Sequence, residues 1–314
     1  MSADAQGLLS STFWISVLSG AVRSGTPVLL AGLGEVLAER SGILNLGVEG
    51  AMVMGAAVGF IATAQTGTVL VGLVAAALAG LAISAIHALL CVPLRANQVG
   101  SGIAVTIFGL GVSAFIGRPF NGRQVETLHP IALPVLSKIP VLGTVLFEHN
   151  GLVYFTYLLV PVIWFLLYKT HFGLSLRMVG ESPEAADAMG LPVDRLRFVA
   201  VLLGGALAGV GGAYLSLVLA GNWVDGMSAG NGWIAVALVI FAAWDPLRAV
   251  LGSYLFGGVL AFTQRVQAVG IGISPFLLGM APYVFTLLVL VISMRRAEKM
   301  TGVPAALGAL YSRE

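Results

Sequence analysis

Within the run ILNLGVEG, Asn45 lies beside Gly47, Glu49 and Gly50 in an otherwise apolar stretch. An amide there hydrogen-bonds a polar solute, or it caps a helix whose positive end Glu49 complements. The glycines let this run break or re-enter an apolar layer. Farther along, Asn222, Trp223 and Asn231 flank GNWVDGMSAGN. An indole beside amides either stacks on a base or sugar ring or anchors the chain where an apolar layer meets water. Asn97 and Gln98 open another apolar stretch and read as a helix start. His87 stands alone in an uncharged run, more often the place of a packed, hydrogen-bonded imidazole than of a proton relay. No His, Cys and carboxylate cluster has metal spacing, and no Ser, His and acid set supports nucleophilic catalysis. A G-x-x-x-x-G-K-[ST] phosphate loop is missing, because none of the three lysines follows a glycine. Cys91, the only cysteine, reads as a small apolar core residue. The polar residues point to contact with a solute, and no catalytic residue, metal or cofactor is expected in this chain.

Such residues must be positioned by helices in an apolar medium. Of 314 residues, 58% are hydrophobic and 10% charged, with a mean hydropathy of +0.97; ordinary soluble domains are roughly 25% charged. Charges gather in short clusters, and the net charge of +2 offers no basic block for nucleic acid. A spanning helix needs about 20 mainly apolar residues. Residues 69–94, 98–117, 198–221, 226–244 and 266–294 meet this, 151–168 and 249–264 are shorter, and 48–64 spans with Glu49 at its edge. Residues 8–37, with Arg23 and Pro27 inside, form one tilted span or an interfacial helix followed by a span. The expected fold is an all-α, polytopic transmembrane bundle of nine spans, eight to ten at the bounds, in a single domain over 1–314. Many of the 41 glycines lie inside apolar runs, and Gly205 to Gly209 within GGALAGVGG form a small-residue packing seam. MSADAQG lacks the basic segment of a cleavable signal peptide, so the first apolar segment is expected to stay.

Lys and Arg accumulate on the cytoplasmic side of membrane proteins. A cytoplasmic carboxyl terminus puts eleven basic residues inside (Arg40, Arg95, four in 169–197, Arg248 and four from Arg295 on) against Arg118, Arg123, Lys138 and Arg265 outside. The outer loop 118–150, with four prolines, is expected to be an ordered cap holding a short helix at most. The inner loop 169–197 contains a short helix: Ser182 suits the N-cap, Pro183 the first turn, and Glu181 and Glu184 the positive end. Ala185, Ala186 and Ala188 propagate it past Met189, Gly190 ends it and Pro192 blocks continuation. Its small side chains fit the groove of another protein; the alternative is an amphipathic connector on lipid headgroups.

GESPEAADAMGLPVDRLRFVAVLLGGALAGVGG resembles the cytoplasmic coupling segment of bacterial ABC importer permeases, in the superfamily serving branched-chain amino acids and simple sugars. GEVLAERSGILNLGVEGAMVMGA (34–56) and DGMSAGNGWIAVALVIFAAWDPLRAVLGSYLFGG (225–258) are similar to stretches of its nucleoside-uptake branch. The resemblance implies the permease subunit of an ATP-driven importer in the bacterial cytoplasmic membrane, working by alternating access. It implies a second, related permease chain, a cytoplasmic ATPase that carries ATP and Mg, and an extracytoplasmic substrate-binding lipoprotein. The coupling segment then covers 177–197, with Glu181 to Ala186, Met189 and Gly190 facing the ATPase. Rival solutes are ribose-like sugars and, less well, branched-chain amino acids. An ion-driven transporter would place ionisable groups in mid-membrane, and the spans past residue 64 hold none but His87. A membrane scaffold explains neither the inner helix nor the polar residues between spans.

Overall fold

The computed structural model describes residues 11–269, 274–297, 302–309 and 311. Among the described residues the first helix, α1 (Ser11–Arg40), runs unbroken through Pro27. It is followed by α2 (Val48–Thr66), α3 (Val69–Cys91) and α4 (Gln98–Gly117). The segment 118–150 folds as two 3-10 turns, α5 (Leu142–Leu146) and a two-stranded antiparallel pair, Ile131–Ala132 with Glu148–His149. This is more regular than one short helix at most. Next come α6 (Gly151–Lys169), α7 (His171–Glu181), α8 (Pro183–Ala188) and α9 (Val193–Tyr214), which continues as a π-helix, Leu215–Ala220. The chain then forms α10 (Asn231–Phe241), α11 (Pro246–Ala268) and α12 (Pro275–Ala297).

Among the described residues, seven helices are long and apolar enough to span: α1 to α4, α6, α9 with its π extension, and α11. The expected all-α bundle of spans stands, and two of the expected ranges take other bounds in the structure. Residues 226–244 form no full span, because α10 has only 11 residues, a length of about 16 Å against a hydrocarbon layer of about 30 Å. Gly226 and Gly230 stand at positive φ before it, and Ala243 and Trp244 after it. The expected span 266–294 starts later, as the 23 residues of α12 from Pro275, because α11 extends to Ala268. Asp245 explains the start of α11: its Oδ1 accepts from Leu247 N and Arg248 N, with Pro246 in the first turn.

The core lies along α1 and α2. Every residue from Gly25 to Arg40 is buried, as is every residue from Glu49 to Ala57. Around this core α9 packs against α3, α1 and α2, and α11 against α1. Glycines permit the close approach: a Cβ on Gly205 would lie 2.1 Å from Ser84 Oγ, and one on Gly209 would lie 2.2 Å from the Ala76 carbonyl. Large apolar side chains such as Leu70, Val74 and Leu78 on α3, Phe115 on α4, Leu158 on α6 and Leu251 on α11 face outward, as lipid contact requires.

Candidate functional site: a half-length helix held at both ends

Between α1 and α2 the backbone is irregular and almost wholly buried, so its polar groups need partners from within the protein. Gln98 Oε1 accepts from Leu44 N at 2.7 Å, and Thr106 Oγ1 donates to Leu46 O at 2.9 Å. His87 Nε2 donates to Leu44 O at 3.1 Å while Nδ1 stands 3.0 Å from Ser101 Oγ. This fixes His87 as a buried strut. Gln98, expected to be only a helix start, is a second strut; the start itself is capped by Asn97, whose Oδ1 accepts from Gly100 N.

Asn45 is buried, donates to Glu35 Oε1 at 3.0 Å and accepts from Gly47 N at 3.0 Å. It therefore closes the turn into α2. Glu49, in the first turn of α2, reaches across to α10. Its Oε1 accepts from Ser228 Oγ and from Gly230 N (2.8 Å), and its Oε2 from Gly232 N (2.7 Å). A carboxylate thus occupies the N-terminal, positive end of α10. At the other end Arg40 donates to the carbonyls of Trp244 (3.1 Å) and Ala243 (3.4 Å), where a cation complements the helix dipole. The Trp244 indole N–H donates to Glu39. These bonds hold Ala243 and Trp244, both non-glycine residues at positive φ, in a conformation that costs of order 1–3 kcal/mol each. The stretches 34–56 and 225–258, far apart in sequence, therefore meet at both ends of one half-length helix.

Beside the Arg40 end of this clamp lies the seat for α7 and the C-terminal segment. Gly180 of α7 packs so closely on Arg40 that a Cβ there would be 2.2 Å from the Arg40 carbonyl. Arg197 Nε donates to Ser41 O. The C-terminal segment crosses the same place: Ala306 N donates to Gly180 O, Gly308 N to Gly42 O, and Arg40 Nη1 to Gly302 O. On α8, Ser182 caps by accepting from Ala185 N, and Gly190 follows at φ 81°. Glu181, Glu184, Ala185, Ala188, Met189 and Gly190 are exposed, whereas Pro183 and Ala186 are buried. Ala186 packs with Val179 and Val193, so it supports α8 from inside and offers no surface to a partner.

Of the candidate solute contacts, Asn222 and Asn231 are half-buried near the turn that precedes α10. Trp223 is buried against Gly117, so it is neither an interfacial anchor nor an open stacking platform. Glu35, Glu39, Arg40, Ser228 and Trp244 were not singled out by sequence. The signal was present: two acids four residues apart at the C-terminal end of an apolar helix oppose the helix dipole and call for a buried partner. Glu35 Oε2 and Glu39 Oε1 lack a hydrogen-bond partner among the described residues. No group of three or more metal-binding side chains occurs among those residues.

The family profile described as branched-chain amino acid transport system, permease component, matches residues 17–294. A Haloferax volcanii protein provisionally named a glucose ABC transporter permease, TsgC13, is 39% identical over 96% of this chain and 99% of its own length. The nucleoside ABC transporter permease NupC of Lactococcus lactis is 37% identical over 87% of this chain and 90% of its own. The guanosine ABC transporter permease NupQ of Bacillus subtilis is 36% identical over 88% and 92%.

Proposed function

This chain belongs to the branched-chain amino acid transport system permease family, as an integral membrane transport subunit and not an enzyme, and on that premise we propose that it imports nucleosides in an ATP-driven ABC transporter. The observation that carries the mechanism is α10: a half-length helix gripped at its N-terminus by Glu49 and at its C-terminus by Arg40 and Glu39. The grip at the C-terminus of α10 belongs to the segment on which α7 and the C-terminal segment rest. A push on the exposed face of α8 moves Gly180, then the Arg40–Gly42 backbone, then α10. Alternating access is the displacement of α10 between two packings.

ATP and Mg bind on a separate cytoplasmic ATPase, which docks on Glu181, Glu184, Ala185, Met189 and Gly190. A second, related permease completes the pathway, and an extracytoplasmic lipoprotein delivers the solute. The chain sits in the bacterial cytoplasmic membrane as a single permease domain with its carboxyl terminus inside, the orientation the basic residues support. The nucleoside assignment rests on likeness to NupC and NupQ. A second reading, a hexose, is favoured by the likeness to TsgC13. Competition decides between them: vesicles holding this chain and its companion proteins are loaded with ATP and offered labelled uridine, guanosine, ribose and glucose. ATP-dependent nucleoside uptake that a hundredfold excess of glucose leaves intact supports the first reading; uptake of sugar alone establishes the second.

A further inference from the structure

We propose that an outer cavity between α1, α11 and the π-helix is where solute is admitted, and that it selects a solute rich in oxygen acceptors and rejects cations. The proposal rests on the reading of this chain as a solute importer. Ser16 stands three and four residues before Ser19 and Gly20, and these stand four and three before Arg23, so the four form one stripe on α1. Polar side chains on a membrane helix are costly unless they face protein or a water-filled space. Here they line a cavity of about 620 Å³ with Ser24, Thr144 of α5 and Gln264 and Arg265 of α11, within the range of roughly 300–1,000 Å³ usual for small-molecule sites. On the neighbouring face of α1, Trp14 and Leu18 are exposed and apolar. The cavity therefore interrupts a lipid-facing surface.

Its back wall is the π-helix through Leu219. π-helical turns are rare and recur at functional sites. Arg23 Nη2 donates to Val218 O in that turn at 3.3 Å, which ties the polar stripe to α9. The lining includes two guanidinium groups, hydroxyls and an amide, and no carboxylate. Donors thus outnumber acceptors, and such a lining suits the carbonyl and hydroxyl oxygens of a ring solute while disfavouring a cation. The cavity lies at the end of α1 opposite Arg40, so a solute must pass along α1 to reach the clamped α10.

The test uses the assembled transporter with Cys91→Ala, so that introduced thiols react alone. Ser19→Cys is expected to react with a membrane-impermeant anionic thiosulfonate applied from outside, and Leu18→Cys to react far more slowly. Saturating uridine should slow the Ser19→Cys reaction severalfold, whereas choline should not. If wild-type protein carries ribose and not uridine, ribose takes its place, so an error in the nucleoside assignment shows in wild-type uptake and an error here shows in the labelling. Loss of uptake in Ser19→Trp with retention in Leu18→Trp adds support. A Ser19→Cys thiol that is unreactive, or that reacts at the same rate with and without the transported solute, overturns the proposal.

Discussion

Gly42 shows how much a single residue carries. It stands at φ 90°, and a Cβ would lie 3.0 Å from Arg197 Nη2 and 3.3 Å from Ala306 O. Gly42→Ala combines left-handed strain of about 1–2 kcal/mol with a clash at the seat of α7 and the C-terminal segment. We expect lower thermal stability in detergent, by an amount of that order, together with slower uptake; an unchanged melting temperature would remove Gly42 from the account. His149, outside the spans, gives a pH dependence. Burial is the first cause that pushes its pKa below the ordinary 6.5, and the nearby Arg23 charge adds to it. Its Nε2 faces the Val145 carbonyl at 2.8 Å, so the neutral ring donates there. A depressed folded pKa means that stability is full above about 6.5 and declines as the pH falls through the folded value. The protection of 142–149 from hydrogen exchange, taken relative to the intrinsic exchange rate at each pH, should therefore fall between pH 7.5 and 5, and His149→Gln should flatten that change.

At the scale of elements, α8 was legible in the sequence because Ser182, Pro183 and Gly190 are local signals, and those residues cap, start and end it. Its buried side was not legible: in a run of alanines nothing local distinguishes Ala186, which packs inward, from Ala185 and Ala188, which face out. The exposed acid Glu184 is the cleaner probe of docking. Glu184→Lys is expected to abolish ATP-driven uptake while leaving the melting temperature unaltered, and an equally active Glu184→Lys transporter would mean that α8 does not bear on the ATPase. The length of α10 also escaped the sequence reading. Residues 226–244 are apolar enough to span, but the partners that stop the helix early, Glu49, Glu39 and Arg40, come from nearly 200 residues away.

For the whole molecule, composition and run length establish a helical membrane bundle, because no soluble core accommodates that much apolar surface. The glycine seam of α9 is equally readable, since small residues repeat where α9 meets α3. What the sequence hides is pairing: Glu39, Arg40 and Glu49, which look isolated, form a buried network with the two ends of α10. That network is the central claim, and Glu49→Gln tests it most directly. An amide keeps the shape of the side chain but gives up the charge that faces three donors, a loss of about 1–3 kcal/mol if the donors go unsatisfied. ATP hydrolysis and uptake of labelled uridine should be measured in the same vesicles, with wild-type protein as reference. We expect Glu49→Gln to hydrolyse ATP yet to take up solute at least about tenfold more slowly, the factor that each 1.4 kcal/mol represents. Uptake at the wild-type rate, or wild-type uptake that continues without any ATPase partner, would contradict the account.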